Sequence, residues 1–99
     1  MQIMAWIFEI KDRSGRKIHL SDERWKHIVV EHSNLTNKIE DIKDILLNPL
    51  LIGKSKYDEK VRYYQKYYKK LSKYLLVSVK YLNGEGYIIT AFYTSKPEK

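Results

Sequence analysis

Beyond Asn48-Pro49 the apolar residues of this 99-residue chain change their spacing from that of a helix to that of a strand. Trp25, Ile28, Val29 and His32 fall at i, i+3, i+4 and i+7, and Leu35, Ile39, Ile42 and Leu46 continue with helical spacing until Asn48-Pro49 ends it. After Pro49 the alternation has a period of two. Leu50 to Tyr57 begins a strand, Asp58-Glu59-Lys60 turns it, and Val61 to Tyr68 runs back. Lys69 to Ser72 connects to Tyr74–Leu82, and Asn83-Gly84-Glu85-Gly86 returns the chain along Tyr87–Thr94. Ahead of the helices, Ala5 to Ile10 and Arg16 to Leu20 flank Asp12-Arg13-Ser14-Gly15 as a short hairpin. Strands and helices in separate runs predict an α+β domain in which the hairpin and two helices pack on an antiparallel sheet, leaving the other sheet face open to a ligand.

The first helix has a well-marked start. Ser21 is a good N-cap, Asp22 and Glu23 place negative charge at the positive end of the helix dipole, and Leu20 with Trp25 suits a hydrophobic staple. For the second helix either Asn34 or Thr36 could serve as the cap. The length allows one modest core, so residues 1–99 read as a single domain with a polar, frayed tail from about residue 95. No apolar run approaches the roughly 20 residues that span a bilayer, and the N-terminus lacks the basic start of a secretory signal, so a cytoplasmic protein is expected.

Without cysteine, the chain has no disulfide, thiolate metal site or cysteine nucleophile. Nineteen Lys and Arg against twelve Asp and Glu leave a net charge of +7, which favours a polyanionic partner, RNA first. A lysine-rich surface kept for solubility is the plainer alternative. Lys60, Arg62, Lys66, Lys69 and Lys70 interleave with Tyr63, Tyr64, Tyr67 and Tyr68. On a strand, Arg62, Tyr64, Lys66 and Tyr68 share a face that could bind phosphates and stack bases. The same composition also makes an ordinary edge strand.

His19, His27 and His32 show no HExxH spacing, and neither a phosphate-binding glycine loop nor a carboxylate cluster for two-metal chemistry is present; no metal or cofactor is expected. RNA cleavage without metal needs a base for the 2′-OH, an acid for the leaving 5′-oxygen and cations for the phosphorane. The chain offers His32 or His27 for proton transfer, Glu31 as a possible carboxylate base, and Arg62 with Lys66 or Lys80 for the phosphate. Tyr64, Thr90, Tyr93 and Thr94 add hydroxyls. Each histidine also has a structural reading: a helix-end core residue for His32, and surface residues for His27 and His19.

Leu20-Ser21-x-Glu23-Arg24-Trp25-x-His27-Ile28, His32, Pro49, Arg62-Tyr63-Tyr64 and Ile89-Thr90-Ala91-Phe92-Tyr93-Thr94 together resemble the small nuclease superfamily of barnase, EndoU, colicins and RelE, in its phage-associated and toxin-like branch. The resemblance runs from about Trp6 to Thr94 and implies a metal-independent RNase fold with an antitoxin, a small acidic protein, as partner. It implicates His27 and His32, Arg62 and Tyr64, and Thr90 and Tyr93 in the site; the basic, tyrosine-rich pattern itself offers Lys60, Lys66, Tyr68, Lys69, Lys70 and Lys80 as RNA contacts. The rival reading is a non-catalytic RNA- or protein-binding module using the same basic, tyrosine-rich face, and tyrosine-rich edges would also suit a homodimer.

Overall fold

The Asp12 carboxylate organises the first hairpin by accepting hydrogen bonds from Ser14 N at 2.8 Å, Ser14 Oγ at 2.6 Å and Arg16 N at 3.0 Å, while Gly15 takes a φ of 88°. A short polar side chain and a glycine thus close the turn between β1 (Trp6–Lys11) and β2 (Lys17–Ser21). The computed structural model describes residues 5–99. After the hairpin come α1 (Asp22–Glu31), a 3₁₀ turn (Ser33–Leu35) and α2 (Ile39–Leu47). The chain continues through β3 (Leu51–Lys54), β4 (Val61–Tyr68), a second 3₁₀ turn (Lys69–Leu71), β5 (Lys73–Leu82) and β6 (Glu85–Thr94). No helix among the described residues is long and apolar enough to cross a membrane.

One six-stranded sheet in the order β1-β2-β6-β5-β4-β3 makes this an α+β fold, as the sequence predicts. Every pairing is antiparallel except one: β2 meets β6 in parallel through Ile18 opposite Gly86 and His19 opposite Tyr87. That junction corrects the all-antiparallel expectation. The hairpin and the closing strand lie far apart in sequence, and their direction is set by how β2 enters α1 beside β6.

Ser21 caps α1, its hydroxyl accepting from Arg24 N at 3.0 Å, as expected from Leu20-Ser21-Asp22. Two details differ. Leu35 lies in the 3₁₀ turn rather than on α2, and α2 starts behind Lys38 with neither Asn34 nor Thr36 as cap; the Thr36 hydroxyl bonds instead to Ser33 O at 2.7 Å. Leu35 still reaches the core from that turn, beside Ile28 of α1, Ile42, Ile45 and Leu46 of α2, and Leu75, Val77 and Val79 of β5. Ile18 and Leu20 enter from β2. The core therefore fills one face of the sheet, and the helices cover it.

Gly86 lies where β6 meets both β2 and β5. A Cβ there would fall 2.9 Å from both Tyr81 Cε1 and Val79 Cγ1 and 3.2 Å from Ile18 Cγ1. Gly86→Ala is expected to destabilise the fold by about 1–3 kcal/mol through overpacking, read as a lower urea midpoint at unchanged m.

Candidate functional site

The site is built on a bulge. β6 pairs Ile88 with Val79 and Thr90 with Ser78, so Ile89 is an extra residue with no partner on β5. A strict two-residue period would turn Thr90 to the same side as buried Ile88; the bulge turns it to the opposite side, beside Ser78 and Lys80. Register then arranges two cross-strand rows on the helix-free face. One holds Glu9, His19, Tyr87 and Lys80; the other holds Thr90, Ser78 and Tyr63.

Lys80 ends the first row, its Nζ 2.9 Å from Asp58 Oδ2. The Lys60 backbone N–H and then Lys80 hold the Asp58 carboxyl below its ordinary range. His19, 5% exposed, is clamped within the same row. Its Nε2 is 2.8 Å from Glu85 Oε1. Its Nδ1 is 2.9 Å from Glu9 Oε2 but out of hydrogen-bond alignment, and so has no hydrogen-bond partner. The Trp6 ring lies 4.5 Å and the Tyr87 ring 5.1 Å from the imidazole. A groove of about 580 Å³ opens here between the sheet and the start of α1, lined by Trp6, His19, Tyr87, Lys80, Arg24 and Ile89.

The histidines of α1 border the same side. His32 ends α1, its backbone N–H donating to Ile28 O at 2.7 Å, and its ring centroid lies 5.9 Å from that of Phe92, which shares the helix-free face with Thr90. Its Nε2 is 4.0 Å from Glu31 Oε2. His27 is exposed, three residues beyond Arg24.

The other sequence candidates face the opposite way. The Arg62, Tyr64, Lys66 and Tyr68 face of β4, expected to meet RNA, is the face turned toward the helices: Tyr64 is buried in the core, and Lys66 Nζ pairs with Asp44 of α2 at 2.7 Å. Register explains the reversal, because Tyr64 stands opposite Val77 and Lys66 opposite Leu75, both core residues. Arg62 Nη1 donates to the Glu59 and Val61 carbonyls at 2.5 and 3.0 Å. Tyr93, opposite Leu75, also faces the helices; burial and then Asp41 raise its hydroxyl pKa. Burial, with Asp41 and Asp44 adding to it, pushes Tyr68 up to about 12. Lys60, just before β4, is exposed beside the Lys80–Asp58 pair, its backbone N–H bonded to Asp58 Oδ1 at 2.9 Å, whereas Lys69 and Lys70, exposed in the turn after β4, lie away from the Lys80 row.

The structure thus gathers Lys80, Thr90 and His32 from the sequence candidates on one side and adds His19 with its two carboxylates. The sequence signal for His19 was weak, because a histidine between Ile18 and Leu20 is the polar member of an ordinary alternation. Only its neighbours on β1 and β6 bury it.

Fold and site together define a small α+β domain whose helices shield one sheet face and whose other face carries cations, hydroxyls and histidine. The family model described as phage-Barnase-EndoU-ColicinE5/D-RelE like nuclease2 matches residues 7–99, and the chain belongs to that nuclease family. No curated protein and no solved structure gives a significant match.

Proposed function

We propose that this nuclease is a metal-independent endoribonuclease that lays single-stranded RNA across the helix-free sheet face. The observation that carries this reading is the Ile89 bulge, which brings Thr90 beside Ser78, Tyr63 and Lys80 on the one face that no helix covers. Lys80 and Arg24 hold the scissile phosphate and stabilise its developing charge, Thr90 and Ser78 position it through hydroxyl bonds, and Tyr87, Tyr63 and Phe92 offer rings for bases. A histidine at the edge of α1, His32 or His27, transfers the proton.

The 2′-oxygen attacks phosphorus as its proton passes to a base, and the bond to the 5′-oxygen breaks as that oxygen takes a proton from an acid. The products are a 2′,3′-cyclic phosphate and a 5′-hydroxyl. In this reading Arg62, Tyr64 and Tyr93 support the sheet from the other side. A small acidic protein suits the +7 chain as a partner.

The test is incubation of end-labelled single-stranded RNA with the protein in excess EDTA, with analysis of the fragment ends. Cyclic phosphate ends, and no cutting of an oligonucleotide whose 2′-hydroxyls are methylated, are expected. Cutting that stops in EDTA, or that leaves 3′-hydroxyl ends, would refute the mechanism. Binding without cutting would make the chain an RNA-binding member of its family.

A further inference from the structure

A peptide of this chain forms one wall of the second groove on the helix-free face. Thr94 folds the chain back, its Oγ1 donating to Lys96 O at 3.0 Å and accepting from Lys96 N at 3.3 Å. The tail, expected to fray, instead crosses the sheet to β4. There Gln65, with no exposed surface, grips the main chain at both polar atoms: its Nε2 donates to Glu98 O and its Oε1 accepts from Glu98 N, each at 2.7 Å. Gly53 of β3 leaves room for that strand, since a Cβ at this position would overlap the Glu98 carbonyl. The groove of about 700 Å³ lined by Pro97, Glu98 and Lys99 is also lined by Tyr63, Ser78, Thr90 and Phe92.

A buried primary amide that pairs with one donor and one acceptor of a single backbone residue reads main chain, whatever the side chain. Gln65 Nε2 also reaches Tyr63 O at 3.3 Å, but its Oε1 has only the Glu98 N–H as partner, so loss of the peptide removes the one bond to that oxygen and the shorter of the two from the nitrogen. Here this chain's own segment fills the site. We propose that Gln65 and Gly53 form a main-chain clamp that holds residues 97–99 over Thr90 and Ser78, so that RNA and the tail compete for the same face. The competition rests on the ribonuclease reading above; the clamp does not.

Three variants of the 99-residue chain separate the parts. Glu98→Pro removes the N–H that donates to Gln65, Gly53→Ala places a methyl group where the Glu98 carbonyl lies, and Glu98→Ala keeps both backbone bonds while matching the charge of the proline variant. In the wild type, hydrogen exchange at the Glu98 amide is expected to be slow. Glu98→Pro is expected to bind a single-stranded RNA oligonucleotide roughly two- to ten-fold tighter than Glu98→Ala, the scale of one net hydrogen bond, and Gly53→Ala roughly five- to fifty-fold tighter than wild type, the scale of two.

Fast exchange at Glu98 in the wild type overturns the clamp. Slow exchange with equal RNA affinity in all variants overturns the competition. If exchange is slow and neither wild type nor the released variants bind or cut RNA, the ribonuclease reading and the competition fall while the clamp stands.

Discussion

A His32→Ala variant is expected to cut single-stranded RNA about 10²–10⁴-fold more slowly than wild type while binding it with nearly unchanged affinity, the range for losing a positioned proton carrier. His32 is favoured by place. Its backbone closes α1, its ring is held beside Phe92 on the face that carries Thr90, and its side chain remains 33% exposed, enough for contact with substrate. His27 sits five residues earlier, about 140° away around a helix of 3.6 residues per turn, so the two rings cannot occupy one position. A rate loss confined to His27→Ala would move the role there. Equal, small losses in both variants would refute proton transfer from α1. Because the His32 ring is part-exposed and meets Phe92 and the exposed Glu31, its replacement is expected to change the urea midpoint little, which separates chemistry from folding. Single-turnover rates and RNA affinity, measured on the same preparations, read the two effects apart.

Asp12→Ala is expected to destabilise the fold by about 3 kcal/mol, the largest stability effect among single polar substitutions here, because it removes a nearly buried carboxylate at the centre of a network. Beyond the turn amides, Asp12 Oδ2 accepts from Arg16 Nε and from Tyr81 Oη, both at 3.1 Å, and Tyr81 Oη in turn meets Tyr64 Oη at 2.5 Å. The Arg16 guanidinium lies 3.8 Å from the Tyr81 ring centre. One carboxylate thereby ties the hairpin turn to β4 and β5. Burial and the bond to Tyr64 push the Tyr81 hydroxyl pKa up, so it stays a donor.

Burial alone would raise the Asp12 pKa, but the bonds from Ser14, Arg16 and Tyr81 outweigh it and hold the carboxyl below its ordinary 3.8. A folded pKa below the unfolded one means that the stabilisation is fully present above the unfolded value and is lost as pH falls through the folded value. Wild-type stability is therefore expected to fall below about pH 4, and Asp12→Asn to flatten part of that decline. Asp44, lowered chiefly by its bond to Lys66 with Asn48 adding to it, supplies a further decline in the same direction that survives in Asp12→Asn. An acid limb identical in Asp12→Asn and wild type would show that Asp12 carries none of the pH dependence.

Much of the architecture was legible wherever one short segment holds both the signal and its consequence. The Ser21 hydroxyl is three residues from the amide it caps, the Asp12 carboxylate is two and four residues from the turn amides it binds, and Asn83 and Gly84 take the positive φ of 53° and 81° that a tight hairpin needs. The Val61–Tyr68 strand appears with the limits that its alternation marks. The second helix was less legible, because Leu35 fits the helical spacing while reaching the core from a separate 3₁₀ turn.

For the candidate site, the sequence offers Lys80, Thr90 and the histidines of α1, which the fold brings to one side, whereas the β4 face expected to meet RNA is turned toward the helices. Alternation says that Arg62, Tyr64, Lys66 and Tyr68 go together; it does not say which way. The choice is made by Val77 and Leu75, residues of another strand whose burial depends on the helices above them.

By itself the sequence determined the strands, the first helix and the two-layer α+β class, since these rest on spacings and hydrogen bonds a few residues long. The tertiary structure alone decided that Thr90 turns outward at a bulge, that Glu9 and Glu85 enclose His19, that β2 runs parallel to β6 and that Gln65 binds the tail. Each of these joins residues 10 to 68 positions apart, where the outcome depends on how preformed elements pack rather than on the preference of any one segment.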